Sequence, residues 1–80
     1  MPADLTDVPD AIAGRRLSVR AVYIVLDEAG GELPRDAIEE RVGLHEDTVR
    51  RALQDLEAAG VAVREPDASD PRRVHCRLVE

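Results

Sequence analysis

From Leu17 onward, apolar residues return at steps of three and four: Ala21, Val22, Val25, Leu26 and Ala29. That is the period of a helix with one buried face. Ser18 is the expected cap at its start, and Gly30-Gly31 the expected stop. Gly31-Glu32-Leu33 predicts a short extended link, and Pro34 stands where a second helix begins, since its fixed φ suits a first turn. Ala37, Ile38 and Val42 give that helix a narrow apolar stripe before Gly43 ends it. After the brief turn Gly43-Leu44-His45, a third helix carries Val49, Ala52, Leu53 and Leu56 on one face and runs to Gly60. Beyond Gly60 the period drops to two. Val61 and Val63 lie on one side, the turn-rich EPDASDPRR follows, and then Val74, Cys76 and Leu78 alternate with Arg73, His75 and Arg77. This predicts a β-hairpin with a long tip that ends in arginines.

Ahead of these elements, residues 1–14 hold Asp4, Asp7, Asp10, Pro2 and Pro9 and sustain no period. They predict a flexible acidic arm, with one short turn after Pro9, in front of a single domain over residues 15–80. Two helices joined by a glycine turn and followed by a hairpin make an α+β winged helix-turn-helix, a three-helix core with a C-terminal two-stranded β-hairpin as the wing.

Composition narrows the function. A chain of 80 residues has room for one small core, so an enzyme with a deep pocket is not expected. Tyr23 is the only aromatic, and the core must therefore be built from Ala, Val, Leu and Ile. A single cysteine, Cys76, excludes an internal disulfide and suits a reducing interior, where it is expected to be a small buried hydrophobe. No apolar run approaches the ~20 residues of a bilayer span, and the start MPADLTDVPD lacks the basic and apolar regions of a signal peptide. A cytoplasmic protein without membrane contact is expected. His75 and Cys76 are neighbours on opposite strand faces and no CxxC or HxxxH spacing occurs, so neither a metal nor another cofactor is expected. All eleven basic residues are arginine, against seventeen carboxylates and a net charge of −6. A GC-rich genome favours Arg over Lys, and a salt-loaded halophilic cytoplasm would add the acidic excess. A halophilic archaeon or a GC-rich bacterium is the expected source.

The runs LSVRAVYIVLDEAGGELPRDAIEERVGLHEDTVRRALQDLEAAGVAVRE and PDASDPRRVHCRL carry a resemblance. From Leu17 to Leu78 the chain resembles the winged helix-turn-helix DNA-binding core of the multiple-antibiotic-resistance regulator (MarR-like) superfamily, and small haloarchaeal transcriptional regulators in particular. Its most specific pieces are GLHEDTVRRALQDLEAAGV and Asp70-Pro71-Arg72-Arg73. Three features depart from the pattern. Glu39 stands four residues before the turn glycine, where a small residue is usual; His45 takes the place of a serine cap; and members of the superfamily continue past the position of Glu80 into dimerisation helices.

With Val49, Leu53 and Leu56 turned inward at 100° per residue, the third helix presents Asp47, Arg51, Gln54 and Ala58 outward, with Arg50 on the flank. Glu46 precedes Arg50 by four and Asp47 precedes Arg51 by four, spacings expected to form ion pairs of about 0.2–0.5 kcal/mol each. Either those pairs only solvate the face, or they hold guanidinium forks ready for guanine edges, with Asp47 accepting from a cytosine amine. His45, Asp47, Thr48, Arg50, Arg51 and Gln54 are the candidate contacts on this helix, with Thr48 and Arg51 also able to reach phosphate. On the hairpin the candidates are Arg64, Arg72 and Arg73, with His75 and Arg77 adding positive charge to its outer face. The resemblance implies that Arg72 enters a minor groove braced by Asp70. It also implies a sequence-specific regulator of transcription bound to double-stranded DNA, a repressor working as a homodimer, with no effector identified. The competing expectation, from the acidic total, is a winged-helix module that docks on another protein and binds no DNA.

Overall fold

The computed structural model describes residues 8–79; Met1 to Asp7, half of the expected acidic arm, lie outside the described residues. The short turn after Pro9 is present as a 3-10 turn, Asp10–Ile12. Its Ile12 is fully buried and Val8 packs against the same core, so this stretch belongs to the packed body rather than to a loose arm.

Helix α1 spans Leu17–Glu28. It is entered through extended Arg16, whose carbonyl accepts the backbone N–H groups of Val19 and Arg20, so Ser18 lies within the first turn and does not cap it. Helix α2, Arg35–Val42, follows Pro34, which ends strand β1 (Glu32–Pro34) and stands just before the helix rather than in its first turn. Gly43 closes α2 in the left-handed region at φ 69°, and its N–H bonds to the Glu39 carbonyl at 3.0 Å. Glu39 itself turns along α2 to Arg35, 3.4 Å away. Helix α3 is Glu46–Ala58.

Helices α1 and α3 end alike. Gly31 N–H reaches back to the Leu26 carbonyl at 2.8 Å, and Val61 N–H to the Leu56 carbonyl at 2.9 Å, the wrapped C-terminus that satisfies orphan carbonyls. Each turn then feeds a strand, α1 into β1 and α3 into β2 (Ala62–Pro66). Both strands lie antiparallel to β3 (Val74–Leu78), in the order β1-β3-β2. Leu33 and Arg64 face Cys76 from its two sides. The expected hairpin is therefore two strands of a three-stranded antiparallel sheet, because the link Glu32–Pro34 pairs with the free edge of β3. Val61 completes the α3 turn, so it and Ala62 are buried while Val63 is only half-buried, and the alternation expected from Val61 is lost. Three helices and this sheet form a small α+β body compatible with a winged-helix layout.

The core is aliphatic: Val19, Val22 and Leu26 from α1, Ile38 from α2, Val49, Ala52, Leu53 and Leu56 from α3, and Cys76 from β3. No polar or charged residue is buried among the described residues. Burial pushes the Cys76 thiol up to about 11, which leaves it an unreactive apolar filler. Because Leu53 is fully buried in this cluster, we expect Leu53→Ala to cost about 2–5 kcal/mol. A urea midpoint for that variant equal to the wild type would show that Leu53 is not in this core.

Candidate nucleic-acid interface

Helix α3 is fixed at its start by His45. The residue is extended, and its Nδ1 accepts the Asp47 backbone N–H at 3.1 Å. The imidazole therefore does what a serine would do, so this departure from the pattern does not cost the helix its cap. The acceptor role requires an unprotonated Nδ1, which leaves the proton of the neutral ring on Nε2, facing outward from an exposed residue. Glu46 and Asp47 sit in the first turn, where the helix dipole favours carboxylates.

Asp47, Arg50, Arg51, Gln54 and Ala58 are all exposed, and Thr48 is half-buried beside them. Arg50 bonds to Asp47 at 2.7 Å, one turn back by three residues, rather than to Glu46. Asp55 is held by Arg16 of the segment entering α1, at 2.7 Å, and Glu57 by Arg64 of β2, at 2.5 Å. Three of the four carboxylates on α3 are thus matched by guanidinium groups. Among the described residues Arg51 takes part in no ion pair, so the expected bond from Asp47 to Arg51 is not made.

The loop between β2 and β3 is ordered by its own aspartates. Asp67 accepts the Ser69 N–H at 2.8 Å and the Ser69 hydroxyl at 2.7 Å, and the hydroxyl bond is the main reason its carboxyl lies below the ordinary value. Asp70 accepts the Arg72 N–H at 3.1 Å and approaches the Arg72 Nε only to 3.4 Å, leaving that side chain 91% exposed. Arg73 turns the other way. Its Nη2 bonds both oxygens of Asp36 on α2, at 3.0 and 3.1 Å, which pins the loop to the helix. That bond holds the Asp36 carboxyl below its ordinary value and raises Arg73. Arg72 and Arg73 line a cleft of about 220 Å³ with Arg35, Asp36, Glu39 and Glu46, so the loop tip lies beside the start of α3.

On the sheet, His75 meets Glu32 at 3.1 Å and Arg77 meets Glu65 at 3.0 Å. The outer face of the hairpin therefore carries its basic groups in pairs rather than as the open positive surface anticipated from the sequence, while Arg64 sits opposite buried Cys76 on the inner face and bonds Glu57 of α3. Of the candidate residues, Asp47, Arg50, Arg51 and Gln54 lie on the exposed side of α3, with half-buried Thr48 at its edge, His45 at the N-cap and Arg72 at the loop tip. Arg64 and Arg73 tie elements together. The sequence reading missed Arg16 and Asp36, whose partners lie 39 and 37 positions away, a separation with no local signal. Among the described residues no helix is long and apolar enough to cross a membrane, and no three metal-ligating side chains converge. A scan against protein-family models finds no matching family, and a search of curated proteins finds no match.

Two outcomes test this geometry. The folded Asp36 carboxyl lies below its unfolded value, so its contribution to stability is complete above the ordinary carboxylate range and is lost as pH falls through the lowered value. We expect its carbon resonance to titrate below that of a free aspartate and to move up in Arg73→Ala; an unchanged midpoint would dismiss the pin. Replacing the cap, His45→Ala, should cost about 0.5–2 kcal/mol in thermal or urea unfolding.

Proposed function

We propose that the chain is a sequence-specific regulator of transcription that binds double-stranded DNA, built as a winged helix-turn-helix of the MarR-like kind. It acts as a homodimeric repressor in the cytoplasm. Helix α3 enters the major groove, and the β2–β3 loop, as the wing, touches the adjacent minor groove or backbone.

One observation carries this reading. Arg51 on the exposed face of α3 and Arg72 at the neighbouring loop tip are free or nearly free of carboxylates, while Asp47, Asp55 and Glu57 of the same helix are neutralised. A polyanion approaching α3 therefore meets available guanidinium groups and three matched acids, with Glu46 of the first turn the one carboxylate of this helix left outside an ion pair among the described residues.

Each residue has a role in this scheme. Arg51 reaches the O6 and N7 of guanine as a fork, and Gln54 suits an adenine edge. Asp47 orients Arg50 and offers its second oxygen to a cytosine amine. His45 donates from Nε2 to phosphate, and Thr48 from its hydroxyl, contacts that position the helix without specifying sequence. Arg72 enters the minor groove or meets the backbone. Arg64 and Arg73 fix the sheet and loop relative to the helices and do not touch bases.

So few free cations predict a shallow dependence of affinity on salt, since each phosphate contact adds a slope of only about −0.9. That suits a salt-rich cytoplasm, where the Debye length falls to about 3 Å at 1 M and long-range attraction is lost in any case.

The pairing of Arg64, His75 and Arg77 with carboxylates favours a second reading, a winged-helix module that docks on a protein. Selection from a random duplex library at low and at molar KCl separates the two. We expect a defined, palindromic site to emerge. Arg51→Ala should bind it about 10–100-fold more weakly and lose preference at one base pair. Arg72→Ala should weaken all sequences alike. No enriched site at any salt, with a stable protein complex recovered from the host, would replace the DNA reading with the docking one.

A further inference from the structure

Helix α1 has a second face. Val19, Val22 and Leu26 are fully buried, and at 100° per residue Leu17, Ala21, Ile24 and Glu28 lie opposite them. Leu17 is 55% exposed, and Ala21 and Ile24 are half-buried without belonging to the core cluster of described residues. Arg20 and Glu28 stand four residues to either side of Ile24 on this stripe. The Arg20 Nε is shielded from solvent and has no hydrogen-bond partner among the described residues. That nitrogen is closed off by the chain itself, so a second copy meets half-buried Arg20 only through the outer end of its guanidinium. Glu28 is exposed and forms no ion pair among the described residues, yet it lies about 12 Å further along the helix axis, beyond the reach of Arg20.

We propose that this face is the contact between two copies of the chain, with α1 packed antiparallel on α1 of the second copy about a two-fold axis at Ile24. The antiparallel register sets Ile24 on its own equivalent, Arg20 against Glu28 of the second copy, and Glu28 against its Arg20. Such self-complementarity is what a two-fold interface requires. The same register brings Leu17 to the Gly30-Gly31 turn of the other copy. Nothing lies within 4 Å of where a Cβ would stand on either glycine, so the turn offers an open ledge at the rim of a cleft of about 760 Å³. Charge, apolar stripe and ledge thus agree on one occupant. A single pair of helices of about 18 Å buries less than the ~800 Å² per partner of a standard interface, so the free dimer is weak and concentration-dependent.

The contact rests on the two-copy assembly proposed above and not on the DNA reading. It is tested without DNA, by sedimentation of the full chain over a concentration series, with circular dichroism to check each variant for folding. The wild type is expected to pass from monomer to dimer, and Ile24→Arg to stay monomeric. Arg20→Glu and Glu28→Arg should each weaken association by roughly tenfold, and the double exchange should restore it, because opposite charges again meet across the axis. A wild type monomeric at every concentration, or a double exchange no better than either single variant, overturns the contact while leaving the exposed face of α3 available for DNA.

Discussion

The rotation of α3 about its own axis decides everything that faces solvent, and four aliphatic side chains set it. Val49, Ala52, Leu53 and Leu56 are wholly inside, and no buried polar group among the described residues competes to orient the helix. A turn of one residue, about 100°, would drive Arg50 toward the core and bring out Val49, exchanging apolar burial for a desolvated charge. The stripe therefore acts as a register pin. The exposed order Asp47, Arg50, Arg51, Gln54 is its consequence, and any contact surface on α3 is inherited from the core.

A core of small aliphatics leaves the relative placement of the elements to their rims. Arg16 to Asp55 joins the entry of α1 to α3, Arg64 to Glu57 joins β2 to α3, and Arg73 to Asp36 joins the loop to α2. Pairs of this exposure contribute little stability individually, about 0–1 kcal/mol. Their effect is geometric. The first and last join elements far apart in sequence, and each of the three removes a carboxylate from the field around α3 or the loop. Net charge, a sum over the chain, says nothing of this local arrangement.

The helices and their order were legible because a period of three to four residues survives any tertiary context that buries one face. Gly43 and Gly60 marked their ends for the same local reason, both having positive φ. What could not be read depended on distant partners. Glu32–Pro34 looks like a link until Cys76 and its neighbours offer an edge to pair with. Ile12 sits in an acidic, proline-flanked stretch, and only the closed core shows that it is buried. Ser18 met the rule for a cap, but the helix begins at Leu17. His45 failed that rule and caps nonetheless, since any acceptor of suitable reach will serve. In the candidate site, the outward face of α3 followed from its period, whereas the separation of Arg72 from Arg73 depended on Asp36.

The acidic helix and a polyanionic partner are compatible because arginine is a fork. Guanidinium has five N–H donors, and Arg50 gives Asp47 a bond from one terminal nitrogen, leaving the rest of its edge for a base. A lysine in the same pair would surrender its point charge to the carboxylate. The penalty for holding Asp47 near phosphate is also a matter of range. Repulsion between them acts through solvent and fades within a few ångströms at molar salt, while a hydrogen bond from a pre-oriented fork acts at contact and is screened far less. Carboxylates that hold guanidinium groups in place are then no obstacle to binding. They convert flexible cations into aimed donors, and high salt removes the repulsion that would otherwise accompany them.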